Sequence, residues 1–343
     1  PILYIAVVVA IAAGVLPPLA GIGLIAIGFG VGATAQAIAG ANVQTWFGRI
    51  LPERERRFVA PRALAIQFGL GSVLLVPVAL LVRVGEQDWG VLIYAPAFVG
   101  GLIASLFFLR ALRGLPRPGA VSAGRAASSG PLSTPVRRFL RTNIISAVGA
   151  GFAPYLSVYA IVVLKQDAAY AILMAAIGSA AALVGAILIG NWLERGSASR
   201  LYRISLVVRG VGMASSILAG PWNPYAPIVL LVVIVIITVG FAAGMLSAQE
   251  RVLRLAAPGE SIRAQSAYGA TTAGALAVGQ LAGVVVLALL PVTYLTYVGI
   301  FIVTGAFRLV AAATADVGDD WNTATRIHHG EEMPAEPAFE SQR

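Results

Sequence analysis

The run "APIVLLVVIVIITVGFAAGMLSA", residues 226–248, contains no charged side chain, and "QERVLR" (249–254) follows it with one acid and two arginines. A helix crossing a hydrocarbon layer about 30 Å thick needs roughly 20 apolar residues, which this run supplies. The pattern recurs along the chain. Of 343 residues 58% are hydrophobic and 11% charged, and mean hydropathy is +0.86, whereas soluble domains carry about 25% charged residues. Apolar runs between polar, Pro or Gly breaks give ten candidate spans: 2–16, 19–47, 61–82, 89–112, 140–164, 169–192, 203–220, 226–248, 264–290 and 292–314. The expected fold class is an all-α polytopic membrane protein.

The connections alternate in charge. Residues 48–62 hold five arginines, 110–141 seven, 193–203 three, 250–263 three and the tail from 315 two, whereas the opposite side receives only Arg83 and Lys165. Such asymmetry places the arginine-rich loops and the tail in the cytoplasm. The charged cluster "ILPERERRFVAPR" (50–62) then reads as a cytoplasmic loop, in which Glu53 and Glu55 form exposed pairs worth under about 1 kcal/mol.

Several function classes fall away. There are no cysteines, which excludes disulfides and thiolate metal sites. Both histidines, His328 and His329, lie in the polar tail, so neither a metal nor another cofactor is expected. The net charge of +9 at pH 7 sits at helix ends, and nucleic acid is not an expected partner. No Asp or Glu lies in the middle of a span. A membrane-embedded enzyme would need convergent acids or histidines, so no enzyme is expected, and a coupled proton would need its usual carboxylate elsewhere.

The chain divides into a helical segment at 1–112, a linker at 113–138, a six-helix bundle at 139–314 and a disordered tail at 315–343. The linker "RGLPRPGAVSAGRAASSGPLSTPVRR" is rich in Gly, Pro, Ser and Arg and has no apolar period. The tail carries seven acids and is expected to be cytoplasmic. An internal echo aligns Pro52 with Pro258, with Arg57 and Arg263 five residues after each. If the halves are repeats, two helices are missing from the front, in keeping with a chain that begins at Pro1, and the segment before the linker is a partial bundle.

"GNWLERGSASR" (190–200) resembles the cytoplasmic loop motif of the major facilitator superfamily: a glycine, three residues, an acid-arginine pair, then glycine and further basic residues. Gly190, Glu194, Arg195, Gly196 and Arg200 lie on that motif, with Glu194 where the family usually has aspartate. "WFGRILPERERRFVAPR" and "RLAAPGESIRAQSAYG" resemble the joints after the fourth and tenth helices of many members. The resemblance implies two six-helix bundles around a cavity open alternately to either side, with ten of twelve transmembrane helices present. It further implies a monomeric multi-pass permease of a bacterial inner membrane that imports or effluxes a small-molecule substrate, with a proton as the candidate coupling ion. By the same resemblance, Glu194 and Arg195 would gate the cytoplasmic face. A chain short of two helices is expected to be transport-incompetent, and a non-transporting scaffold or inactive fragment is the alternative reading.

In that family the first helix of each three-helix repeat lines the cavity, which implies the helices at 19–47, 140–164 and 226–248. Their mid-span candidates are Thr34 and Gln36, then Phe152, Tyr155 and Tyr159, then Thr238 and Phe241. The spacing of Phe152, Tyr155 and Tyr159 puts them on one helical face, with bundle packing or an interfacial aromatic belt as alternatives. Gln67 and Gln280 are weaker candidates, since polar groups also join helices. Arg209 lies inside an apolar run, where it either attracts an anion or gates, or snorkels to the interface. Arg308, nearer a helix end, is expected to snorkel. The glycines of "GFGVGATAQAIAGA" and "GATTAGALAVGQLAG" are expected to serve close helix packing.

Overall fold

A computed structural model describes residues 53–89, 131–195, 197–257 and 260–315, with scattered positions between 6 and 15 and between 99 and 110. The longer stretches form eight α-helices: α1 Glu53–Trp89, α2 Thr134–Gly151, α3 Tyr155–Val162, α4 Ala168–Arg195, α5 Ala198–Ser215, α6 Ala226–Leu255, α7 Ser261–Leu289 and α8 Tyr294–Thr314. A short 3-10 turn, Ser216–Leu218, follows α5. Seven segments are long and apolar enough to cross a membrane: Val59–Gly85, Thr134–Val162 (α2 and α3 together), Ala168–Gly190, Ala198–Leu218, Ala226–Leu255, Arg263–Leu289 and Tyr294–Thr314. They match seven of the ten expected spans. Those expected at 2–16, 19–47 and 89–112 fall almost wholly outside the described residues.

The helices overrun the apolar runs at the arginine-rich end. α1 starts at Glu53, so most of the stretch read as a charged loop is already helix. Glutamate and arginine are good helix formers, and acids in the first turn complement the helix dipole. α2 likewise starts at Thr134, with a proline in its first turn. α5 starts at Ala198, where the Ser197 hydroxyl accepts from Arg200 N. Hydropathy marks where a helix enters hydrocarbon; its end is set by capping and propensity.

Lipid is as apolar as leucine, so close contact between helices, rather than exclusion of water, must hold them together. The packing order is α7, α2, α8, α5, α6, α4, α1, each against the next. At the first crossing, a Cβ on Gly151 would stand 2.8 Å from Gly279 Cα, and a Cβ on Gly279 would stand 2.1 Å from Val148 O. No other residue fits either position. The α5–α8 crossing repeats the device, since a Cβ on Gly305 would meet Gly210 O at 2.9 Å. Along the other seam, Gly190 of α4 faces Pro61 of α1, a Cβ there lying 3.0 Å from the proline Cβ.

Around these crossings the interior sorts into tiers. An aromatic tier joins Phe152, Tyr155 and Tyr159 to Tyr297 and Phe301 of α8. A second tier, toward the arginine-rich end, holds Phe139, Tyr202, Leu206 and Val252. A third joins Leu64 and Ala65 of α1 to Ala182, Ala186 and Ala243. Outside, Leu74 and Leu80 of α1 and Leu281 and Val285 of α7 are exposed, as befits side chains solvated by acyl chains. Hydroxyls inside the spans bond their own helix: Thr238 donates to Ile234 O, Ser247 to Ala243 O and Thr304 to Ile300 O, each at 2.7 Å.

Gly279→Val should lower stability by about 1–3 kcal/mol or more through overpacking, read as a fall in melting temperature of the detergent-solubilised protein. Gly274→Ala, where an added Cβ meets nothing within 4 Å, should leave it unchanged.

Candidate functional site

One membrane span is broken at its centre. Between α2 and α3, Phe152–Pro154 leaves the α-helical pattern, and Ala153 stands twelve residues from both Arg141 and Lys165. Pro154 has no N–H to give, and hydrogen bonds tighten to the i−3 type: Ala153 N to Ala150 O at 3.0 Å, Tyr155 N to Phe152 O at 3.1 Å and Leu156 N to Ala153 O at 3.1 Å. Irregular backbone at membrane depth is tolerated only where protein or a cavity shields it.

Tyrosines brace the break from one side. The Tyr155 hydroxyl donates to Gln280 O on α7 at 2.7 Å, and Gly283 leaves room for its ring, since a Cβ there would lie 2.2 Å from it. Tyr159 donates to Ala219 O beyond α5, with its ring edge-on to Phe301 at 5.4 Å between centroids. Phe152 and Tyr155 pack at 6.4 Å. The three aromatics therefore meet in one buried cluster, joined to α7, α8 and the turn after α5. Tyr159 is fully buried and is not part of an interfacial belt.

Arg209 lies elsewhere, about 17 Å along α5 from Ala198 at 1.5 Å per residue. It is 7% exposed and does not snorkel. Its side chain fills a groove left by two glycines of α6: a Cβ on Gly240 would be 2.7 Å from Arg209 Cγ, and one on Gly244 would be 3.2 Å from Arg209 Nη1. The guanidinium carbon stands 5.5 Å from the centre of the Phe241 ring, within cation–π range. Arg308 departs from expectation as well. It is 1% exposed and donates from Nη1 to Arg209 O at 3.3 Å. The reason is directional: side chains lean toward the N-terminus of their helix, which for α8 is away from the nearer, arginine-rich end.

A polar bridge lies beside Arg209. Asn143 of α2 donates to the Thr272 hydroxyl of α7 at 2.8 Å and accepts from Tyr202 of α5 at 3.3 Å. Sequence patterning missed it, because each member is a single polar residue in its own helix. Thr238 packs against Gly178 of α4, apart from the aromatic cluster. Phe241 turns one edge to Phe68 of α1 at 6.3 Å. Gln67 is exposed, and Gln280 contributes its backbone carbonyl. Thr34 and Gln36 lie outside the described residues. Of the loop motif, Gly190 abuts Pro61 and Arg200 is exposed, whereas Gly196 and the side chains of Glu194 and Arg195 lie outside the described residues. Among the described residues no three His, Cys, Asp or Glu cluster to hold a metal.

Glu260, which no motif singled out, ties the arginine-rich end. Buried ahead of α7, its carboxylate accepts from Ser133 N at 2.6 Å and Ala257 N at 2.9 Å, with Arg263 at 3.8 Å. It thereby joins the start of α2 to the α6–α7 joint. Burial pushes its carboxyl up, but the donated hydrogen bonds and the Arg263 charge outweigh that and hold it below the ordinary glutamate value.

The described helices define an all-α, polytopic membrane protein. No protein family and no curated protein matches the chain. Among solved structures it is similar to the crystal structure of a bacterial homologue of the iron transporter ferroportin in its outward-facing state. The TM-score is 0.51 and the identity 17%, over 89% of this chain and 72% of that one. A likeness at that identity concerns the fold.

A depressed carboxylate pKa stabilises the folded state above the unfolded value and loses that contribution as pH falls through the folded value. Glu260→Gln should therefore cost about 1–3 kcal/mol at pH 7. The difference in melting temperature from wild type should shrink as the pH is lowered below the ordinary value of 4.5.

Proposed function

We propose that this protein is a secondary active transporter that carries a small solute across a membrane by alternating access. The observation that carries the reading is the break at Phe152–Pro154, midway between Arg141 and Lys165 in an otherwise continuous span. Discontinuous helices at the midplane are where transporters of several folds place their substrate. Phe152 and Tyr155 are the side chains at the break itself, and we assign them the first contact with solute. The loop motifs and the fold shared with a transporter homologue support the same reading. Iron transport belongs to the ferroportin named in that likeness; the two buried charges well inside the described spans, Arg209 and Arg308, are both arginines, which favours an anionic or zwitterionic solute over a metal cation. We place the arginine-rich connections and the tail in the cytoplasm of a bacterial cell and the division between bundles at the linker ahead of α2.

Spin labels at Val84 of α1 and Leu289 of α7, both exposed at the end opposite the arginine-rich loops, should report two distance populations by pulsed electron resonance. Tyr155→Phe, which frees α3 from Gln280 O, should shift their ratio. One unchanging distance would instead make the protein a non-transporting scaffold. Orientation can be read directly because the chain has no cysteine. In intact bacteria an impermeant maleimide should label Val292→Cys and spare Ser129→Cys.

A further inference from the structure

Among the described residues, the two buried arginines of α5 and α8 have no acid partner. Arg209 is 7% and Arg308 1% exposed, and the Nε of each is sealed without an acceptor. Arg308 gives one hydrogen bond, to Arg209 O, while among the described residues the Arg209 guanidinium lies against the face of Phe241. No described carboxylate approaches either. Even by insertion scales each such charge costs at least about 2.5 kcal/mol at membrane depth, and the two repel one another. The fold nevertheless makes room for them, with Gly240 and Gly244 cut away for Arg209 and Gly149 beside the Arg308 stem. The hydroxyls of Tyr202 and Tyr268 stand within electrostatic reach of Arg209. A glycine groove holding a desolvated cation, with phenols nearby, has the chemistry of an anion receptor.

We propose that Arg209, backed by Arg308, holds a small monovalent anion as a resident counter-ion beside α5 and α6. The guanidinium fork offers paired N–H donors that suit a halide or a small carboxylate. The anion neutralises a charge pair that the helices cannot neutralise themselves, and it contributes to bundle stability whether or not the chain transports. It lies in a different place from the break at Phe152–Pro154, so the failure of either assignment leaves the other standing.

The test uses the full chain purified in detergent, in a buffer whose only anion is bulky MES. Sodium chloride or sodium formate is then titrated in at constant ionic strength. The expected result is a saturable rise in melting temperature of several degrees, and the salt that saturates at lower concentration identifies the class, halide or carboxylate. Arg209→Met should abolish the rise and, without either salt, melt at or above wild type, the order reversing once the anion is added. Arg308→Met should weaken the rise at least tenfold in half-saturating concentration, and keeps the test open if Arg209→Met does not fold. Arg203→Met, an exposed arginine two turns earlier, should behave as wild type. Bromide soaked into crystals should give an anomalous peak beside Arg209. Absence of a saturable shift in wild type, equal shifts in Arg209→Met and Arg203→Met, or a bromide peak only elsewhere would overturn the proposal.

Discussion

The structure depends on backbone meeting backbone where Gly151 of α2 crosses Gly279 of α7. In a medium no more polar than the side chains there is little hydrophobic gain in bringing helices together, and cohesion must come from dispersion at close range. Absent Cβ atoms allow that approach. α2 is held on both flanks, by Gly151 against α7 and by Gly149 against Phe307 and Thr304 of α8, and the aromatic tier fills the space where the helices diverge. With α2 pinned up to residue 151, the α-helical pattern can break at Phe152–Pro154 without loosening the bundle. The tyrosine bonds to α7 and to the turn after α5 then fix the outer half-helix.

The same medium explains how polar groups are distributed. Without water, a hydroxyl in a span must find an acceptor, and serine and threonine take the nearest one, a carbonyl one turn back. Groups that reach further, Tyr155, Tyr202 and Asn143, join different helices. Arg209 and Arg308 are not fully satisfied in either way, since a guanidinium has five N–H donors and Arg308 finds one carbonyl, Arg209 O.

Much of the fold was legible because a span announces itself: an uncharged run of about 20 residues has few other homes. Helix ends were less so. Glu53 and the residues after it look like a loop to hydropathy, yet they are good helix formers outside the hydrocarbon. Arg308 sits at a depth where snorkelling is open by length, but α8 runs in the direction that turns its side chain inward. The break was half visible, since Gly151 and Pro154 are written in the chain; the surrounding residues are apolar enough to hide it in a hydropathy profile. Glu260 was invisible, its amide donor at Ser133 lying 127 residues away. Of the candidate side chains, the sequence pattern grouped Phe152, Tyr155 and Tyr159, and it had no means of pairing Arg209 with Gly240 and Gly244 across a helix boundary.

The α1–α4 seam is graded along its length. Gly190 and Pro61 nearly touch at the arginine-rich end, whereas an added Cβ on Gly69 or Gly71 would find its first neighbour at 3.6 Å. Were α1 to turn about that tight contact, its length would set how far the other end travels. Trp89 lies 28 residues beyond Pro61 on the same helix, about 42 Å at 1.5 Å per residue. Each degree of rotation about Pro61 therefore moves the far end of α1 by about 0.7 Å while the contact with Gly190 stays in place.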